Sequence, residues 1–229
     1  MVHSSKFLTL RDIQLFRSLS DQQLDQISNQ AQLKRFQKGE MIYRTGDPVS
    51  SIYIVHTGSV KCGKTTINEK ALIKEIVYKQ ELLGENVITN SKERTEFAQT
   101  LEVTEAFQIP VSFFKSLLNQ NPQLCQELTI ILINKMSNLE NRLSNFVFKK
   151  AQTRIMEFLS DLAHTRGIKI GLQEILVNHG LSHKEIANIT DTSRQTVARV
   201  LGDLKRQNII HFSARKPHKI LIRDILSLS

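Results

Sequence analysis

The chain has 229 residues, with 31 Lys and Arg against 22 Asp and Glu, for a formal net charge of +9. With 40% apolar and 23% charged residues it has the composition of a globular protein, and four prolines with nine glycines exclude a collagen-like or Pro/Gly-rich disordered chain. The longest apolar run, Ile130–Ile133, is too short to span a membrane, and the N-terminus lacks the order of a signal peptide, so a cytoplasmic protein is expected.

Two cysteines, Cys62 and Cys125, cannot build a disulfide framework or a four-cysteine metal site. The basic excess points to a polyanionic partner, and it is uneven. Residues 1–150 carry a net of +4 and residues 151–229 a net of +5 from half the length. Within 184–223 there are 9 basic side chains against 3 acidic.

In chain order, residues 11–34 read as helical, with Leu15, Leu19, Leu24 and Ile27 at helical spacings and Ser20 as an N-cap. From Phe36 to Pro110 the texture is that of short strands. The runs are Glu40–Tyr43, Ile52–His56, Ser59–Lys61, Ala71–Tyr78, Phe97–Val103 and Ala106–Ile109, separated by turn signals such as Gly46-Asp47-Pro48. Such spacing predicts an antiparallel barrel, roll or sandwich.

A long helix is predicted from Asn121-Pro122, with Asn121 as its cap. Along it Cys125, Thr129, Leu132, Met136, Leu139, Leu143 and Phe146 alternate steps of four and three, a heptad seam. Leu124, Leu128 and Ile131 form a second stripe. Two apolar faces call for two partners. The stripe is expected to pack on the β domain and the seam, with Leu132, Met136, Leu139, Leu143 and Phe146, on a second copy of the chain. A helix buried within one domain is the competing reading. A further helix through Ile155, Phe158, Leu159 and Leu162 should end near Gly167, and Ile168–Ile170 and Glu174–Val177 read as short strands, the second alternatively as the start of a helix.

The most informative stretch is Leu181–Ile210. Ser182 with Glu185 forms a capping box, Thr190-Asp191-Thr192 breaks the pattern, and Ser193 caps a second helix carrying Val197, Val200, Leu201 and Leu204. That is a helix-turn-helix. The second helix presents Arg194, Gln195, Thr196 and Arg199, residue types that reach base edges and phosphates. Ile209–Phe212, the basic turn Arg215-Lys216-Pro217-His218 and Lys219–Ile222 then form a hairpin, or wing. The residues expected to touch DNA are Ser182, Ser193, Arg194, Gln195, Thr196, Arg199, Lys205, Arg215 and Lys216.

Over nearly its whole length the sequence resembles the cyclic AMP receptor protein/FNR (Crp/Fnr) family of bacterial transcription regulators. Ser193-Arg194-Gln195-Thr196-Val197-Ala198-Arg199 is similar to the family motif Ser-Arg-Glu-Thr-Val-x-Arg, with Gln195 in place of Glu and Asp191 where the turn usually has Gly. The resemblance implies an α+β fold: an N-terminal antiparallel β-roll (1–120), a long dimerisation helix and hinge (121–149), and a C-terminal winged helix-turn-helix (150–229). It also implies a homodimer, a near-palindromic double-stranded DNA operator, RNA polymerase as a partner, and no enzymatic activity.

Gly84-Glu85 and Arg94-Thr95 resemble the family's phosphate-binding cassette. The resemblance implies a cyclic nucleotide such as cyclic AMP as effector. Arg94 would hold the phosphate, Glu85 would orient Arg94 and accept the ribose hydroxyl, and Thr95 would add a hydroxyl. The Glu85–Arg94 spacing is one residue shorter than in the cyclic AMP receptor protein, and Leu139 and Glu140 stand where the family has a Thr-Ser base contact. The base is therefore read differently. The alternatives are a member with a non-nucleotide effector and a cyclic-nucleotide-binding subunit of an enzyme.

No metal site is expected. Residues 1–35 hold no Cys for an iron–sulfur cluster, residues 36–110 hold a single histidine, His56, and His179 and His183 are separated by Gly180 and the Ser182 cap.

Overall fold

A computed structural model describes residues 5–65, 71–89, 91–171, 174–213 and 216–228. It divides into two compact units, the first ending at Asn138 and the second beginning at Leu139. The fold is α+β.

The first unit opens with α1 (Ser5–Arg11) and α2 (Asp21–Gln30). Ser20 caps α2 as expected, within a capping box completed by Gln23. The helix predicted to reach residue 34 stops at Gln30. Ala31 is extended, and Gln32–Phe36 is a strand, β1. Its pairing with a later strand, from Gln32↔Gln108 to Phe36↔Thr104, overrides the local helical reading.

Seven more strands follow: β2 (Met41–Tyr43), β3 (Ser51–Thr57), β4 (Val60–Thr65), β5 (Ala71–Val77), β6 (Leu82–Leu83), β7 (Phe97–Thr100) and β8 (Thr104–Pro110). They form two antiparallel sheets, ordered β1-β8-β3-β6 and β2-β7-β4-β5. β6 and β1 escaped the sequence reading because neither shows an apolar/polar alternation of useful length.

β3 shows how the sheets are placed. Successive side chains point to opposite faces. Tyr53 and Val55 join Cys62, Val77 and Ala98 between the sheets. Ile52 and Ile54 face the other way, into a core with Phe107, Ile109, α1, α2 and the next helices. Those helices are α3 (Val111–Gln120) and α4 (Pro122–Phe148).

Asn121 does not cap α4 with its side chain. Its amide Nδ2 donates to Leu117 O at 2.9 Å, and its Oδ1 accepts from Gln23 Nε2 at 2.6 Å, stitching α3 to α2. Along α4, Leu124 and Leu128 are buried in the first unit's core with Ile131 packed beside them. The seam residues are exposed, from 38% at Leu132 to 64% at Leu143.

The second unit contains α5 (Ala151–Arg166), β9 (Ile168–Lys169), β10 (Ile175–Asn178), α6 (His183–Ile189), α7 (Arg194–Arg206), β11 (Ile210–Ser213) and β12 (Lys216–Ile222). The strands make one antiparallel sheet, β11-β12-β10-β9. The predicted hairpin is therefore half of a larger sheet. Its core gathers Ile155 and Leu159 of α5, Ile186 of α6, Val197 and Leu201 of α7, and Ile220 and Ile222 of β12, all buried. No described helix is long and apolar enough to cross a membrane.

Replacing Leu124, fully buried where α4 meets the first core, by Ala should lower stability by about 2–5 kcal/mol, the cost of an unfilled aliphatic site. Urea unfolding followed by circular dichroism reads this out. A loss below about 1 kcal/mol would mean that α4 does not pack there.

Candidate functional site

The sequence-predicted residues fall into two groups, one in each unit. In the first, Gly84 ends β6 and leads into a short 3-10 turn, Glu85–Ile88. Gly84 has φ of +81°, which favours glycine, and a Cβ on it would lie 2.6 Å from Arg94 Nη1 and force that guanidinium to shift.

Arg94 is buried, with 4% exposure. Its Nη1 donates to Gly84 O at 3.2 Å, its Nη2 donates to Ser51 O, and its guanidinium lies over the Tyr43 ring at 4.1 Å. Its Nε is buried without a hydrogen-bond partner, as are Glu85 Oε2 and Tyr43 Oη. Burial, then the neighbouring Cys62 and Glu96, push the Tyr43 phenol well above its ordinary value.

The expected pairing of Glu85 with Arg94 is not what forms. Glu85 Oε1 accepts from Lys135 Nζ of α4 at 2.9 Å and lies 3.9 Å from Lys74 Nζ of β5. Arg94 instead directs its Nη1 and Nη2 to the Gly84 and Ser51 carbonyls, leaving Glu85 to the two lysines. Lys74 also pairs with Glu96 at 2.7 Å and Glu75 at 3.1 Å, and Lys135 with Glu75 at 3.1 Å.

This half-buried network of three carboxylates and two ammonium groups sets the charge states. Burial alone would raise the Glu85 carboxyl, but Lys135 and Lys74 outweigh it and hold the group below its ordinary value. Burial alone would lower both lysines, and their carboxylate neighbours instead raise them. Thr95 is exposed, within 3.5 Å of Asn86 Nδ2. Leu139 and Glu140 are exposed on α4 in the second unit, past the boundary at Asn138.

In the second unit, Ser182 caps α6 in a capping box with Glu185, and Ser193 caps α7, accepting from Thr196 N at 3.0 Å. Both hydroxyls are thereby engaged in setting helix starts. Between the helices, Thr192 N donates to Ala187 O at 2.9 Å, a Schellman closure with Asp191 at the left-handed position, φ +51°. Asp tolerates this backbone better than most residues, and a non-glycine residue there still costs about 1–2 kcal/mol.

α7 buries Val197, Val200, Leu201 and Leu204 and exposes Arg194, Gln195 and Arg199, with Thr196 half-buried. The structure thus brings the three long polar side chains together over the first turns of one helix. Lys205 is exposed in the last turn, about 16 Å farther along the axis at 1.5 Å per residue. Lys216 begins β12, and Arg215 lies outside the described residues. Among the described residues no group of His, Cys, Asp and Glu could hold a metal ion.

Sequence reading missed Lys74, Glu75, Glu96 and Lys135. One signal for the last was present. Lys135 continues the Leu124, Leu128, Ile131 stripe by four residues, so a cation stands where the buried face predicts an apolar side chain.

Two family models match the chain: a cyclic nucleotide-binding domain over residues 33–121 and a Crp-like helix-turn-helix domain over residues 153–229. The "CRP-like cAMP-activated global transcriptional regulator" of Mycobacterium tuberculosis is 24% identical over 210 residues, 92% of each chain. Among solved structures, FixK2 from Bradyrhizobium japonicum superimposes with a TM-score of 0.76 at 20% identity, covering 86% of this chain and 95% of that one. The c-di-GMP responsive global regulator CLP of Xanthomonas campestris gives 0.75 at 19% identity, covering 90% and 99%.

Lys135→Met should cost about 3 kcal/mol near neutral pH, because it strips buried Glu85 of its nearer cation and half-buried Glu75 of one of its two, leaving only Lys74. Glu85 is held low, so its contribution is complete above its ordinary value near 4.5 and fades as pH falls through the lowered folded value. The gap between wild type and variant should therefore close in acid. Urea titrations at pH 7 and pH 3 check it, and an equal gap at both would mean that the carboxylates are not what Lys135 stabilises.

Proposed function

The chain belongs to the Crp/Fnr family of transcription regulators, and on that footing we propose how it works: as a homodimer joined along the exposed seam of α4, reading a near-palindromic operator with two copies of α7. It is a DNA-binding regulator and not an enzyme. One observation carries the readout. Ser193 fixes the start of α7, and Arg194, Gln195 and Arg199 are all exposed over its first turns while the opposite face is buried.

Arg194 and Arg199 are the guanine readers, since a guanidinium matches the O6/N7 acceptor pair. Gln195 pairs with adenine N6/N7 where the more usual Glu accepts from cytosine. Ser182, Lys205 and the wing residues Arg215 and Lys216 supply phosphate contacts that set register rather than sequence. Support for the dimer comes from Leu132, Met136, Leu139, Leu143 and Phe146, large apolar side chains exposed in a row on one helix.

The first unit carries the effector site. Arg94 Nε and Glu85 Oε2 are a buried donor and a buried acceptor without partners, which suits an anion that also bears a hydroxyl, a cyclic nucleotide such as cyclic AMP among them. The effector acts by binding one arrangement of the DNA-reading units better than another. RNA polymerase in the cytoplasm is the partner of the DNA-bound form.

Selecting sites from random DNA tests this reading. Wild type should return two half-sites related by a twofold axis, with centres about 34 Å apart. Gln195→Glu should move one base pair of each half-site from adenine towards cytosine, a preference of about 1–3 kcal/mol. Identical selected sites for the two proteins would remove Gln195 from base readout, and single unpaired half-sites would contradict the dimer.

A further inference from the structure

The turn before the recognition helix is gripped from behind by two arginines, neither of them in the helix-turn-helix itself. Arg142, near the end of α4, holds the Asp191 carboxylate in a two-pronged fork, Nε to Oδ2 at 2.8 Å and Nη2 to Oδ1 at 2.7 Å. The same Nη2 donates to Asn188 O at 2.7 Å, one of the last carbonyls of α6. Arg154, in the first turn of α5, donates to Thr190 O at 2.9 Å and Asp191 O at 2.8 Å. Its Nη1 reaches back to Lys149 O at 2.6 Å, and its guanidinium lies 5.3 Å from the centre of the Phe146 ring.

Asp191 is the member of this set that the backbone does not want. Its φ of +51° favours glycine, the residue that the resemblance leads one to expect there. A carboxylate at this place is also electrostatically wrong for a protein that approaches phosphates. The fork to Arg142 compensates both faults. Both side chains are about four-fifths buried, so the pair is less screened than an exposed one.

We propose that Asp191 and Arg142 form a latch that positions the recognition helix. α7 begins at Arg194, with its cap at Ser193 two residues beyond Asp191, so fixing the turn fixes where Arg194 and Gln195 stand. The latch ties that turn to α4, the helix that carries the seam. Arg154 makes a parallel connection through backbone carbonyls, which any turn sequence would offer. The Asp191–Arg142 fork depends on this chain's own side chains. The inference rests on the DNA-reading role of α7 and adds to it the residue that aims that helix.

Asp191→Gly separates positioning from electrostatics, because the two predict opposite signs. Glycine suits the left-handed backbone, so the variant should fold and melt within a few degrees of wild type. Removing a negative charge near phosphates would by itself tighten binding to any duplex. Loss of the latch instead weakens binding to the selected operator, by fivefold or more, while affinity for a random duplex stays equal or rises. Arg142→Met, which also removes the bond to Asn188 O, should lose at least as much on operator, and the double variant Arg142→Met/Asp191→Gly should be no weaker than Arg142→Met alone, since the fork is broken once.

Fluorescence anisotropy with operator and random duplexes at one salt concentration reads all four proteins. Unchanged or tighter operator binding by Asp191→Gly overturns the latch, as do additive losses in the double variant. Wild type that fails to distinguish operator from random DNA overturns the DNA-reading role itself, a different result from variants that match a discriminating wild type.

Discussion

Helix α4 must satisfy two incompatible surroundings at once, and the rest of the molecule is arranged around that constraint. Leu124 and Leu128 are buried in the core of the first unit, whereas Leu132, Met136, Leu139, Leu143 and Phe146 stay exposed on another face. Exposed leucines in a row are costly in water at roughly 25 cal/mol per Å² of apolar surface. A single chain leaves that cost unmet, and in the proposed dimer a second copy would remove it. The two faces separate because steps of three and four residues keep each set of side chains on its own side of a helix.

The buried face changes character as α4 proceeds. After Ile131 the stripe continues with Lys135, whose ammonium sits between Glu85 and Glu75, and seven residues later comes Arg142, which holds Asp191. Apolar contacts at the start of the helix give way to ionic ones. Ion pairs out of water contribute little net stability, because desolvation offsets most of their attraction, but breaking one leaves a stranded charge. α4 thus carries ionic contacts at Lys135 and Arg142 as well as the exposed apolar row proposed as the dimer seam.

Legibility in the sequence followed the range of the interactions. Capped helices were readable because their signals are local. Ser20, Ser182 and Ser193 all cap where their sequence context predicts, and Asp191 takes the left-handed turn. The two faces of α4 were readable because helical period carries over many residues. β1 was not, because Gln32–Phe36 becomes a strand only through pairing with β8, some seventy residues away. Asn121 stands just before α4 as its sequence context predicts and its carbonyl accepts from Cys125 N, but its side-chain amide is drawn off by Gln23 and Leu117. In the effector region, Gly84, Glu85 and Arg94 were found by resemblance. The actual partners of Glu85, which are Lys74 and Lys135, come from β5 and α4, and pairing across elements leaves no trace in local spacing.

The mass of the assembly on DNA is the most direct measure of what α4 does. Native mass spectrometry or sedimentation of the 26.2 kDa chain with its selected operator should show two chains on one duplex. The Leu139→Lys/Leu143→Lys double variant should fall to single chains with little operator bound. One wild-type chain per duplex, or a double variant that stays paired, would contradict the assignment of the exposed seam as the dimer contact.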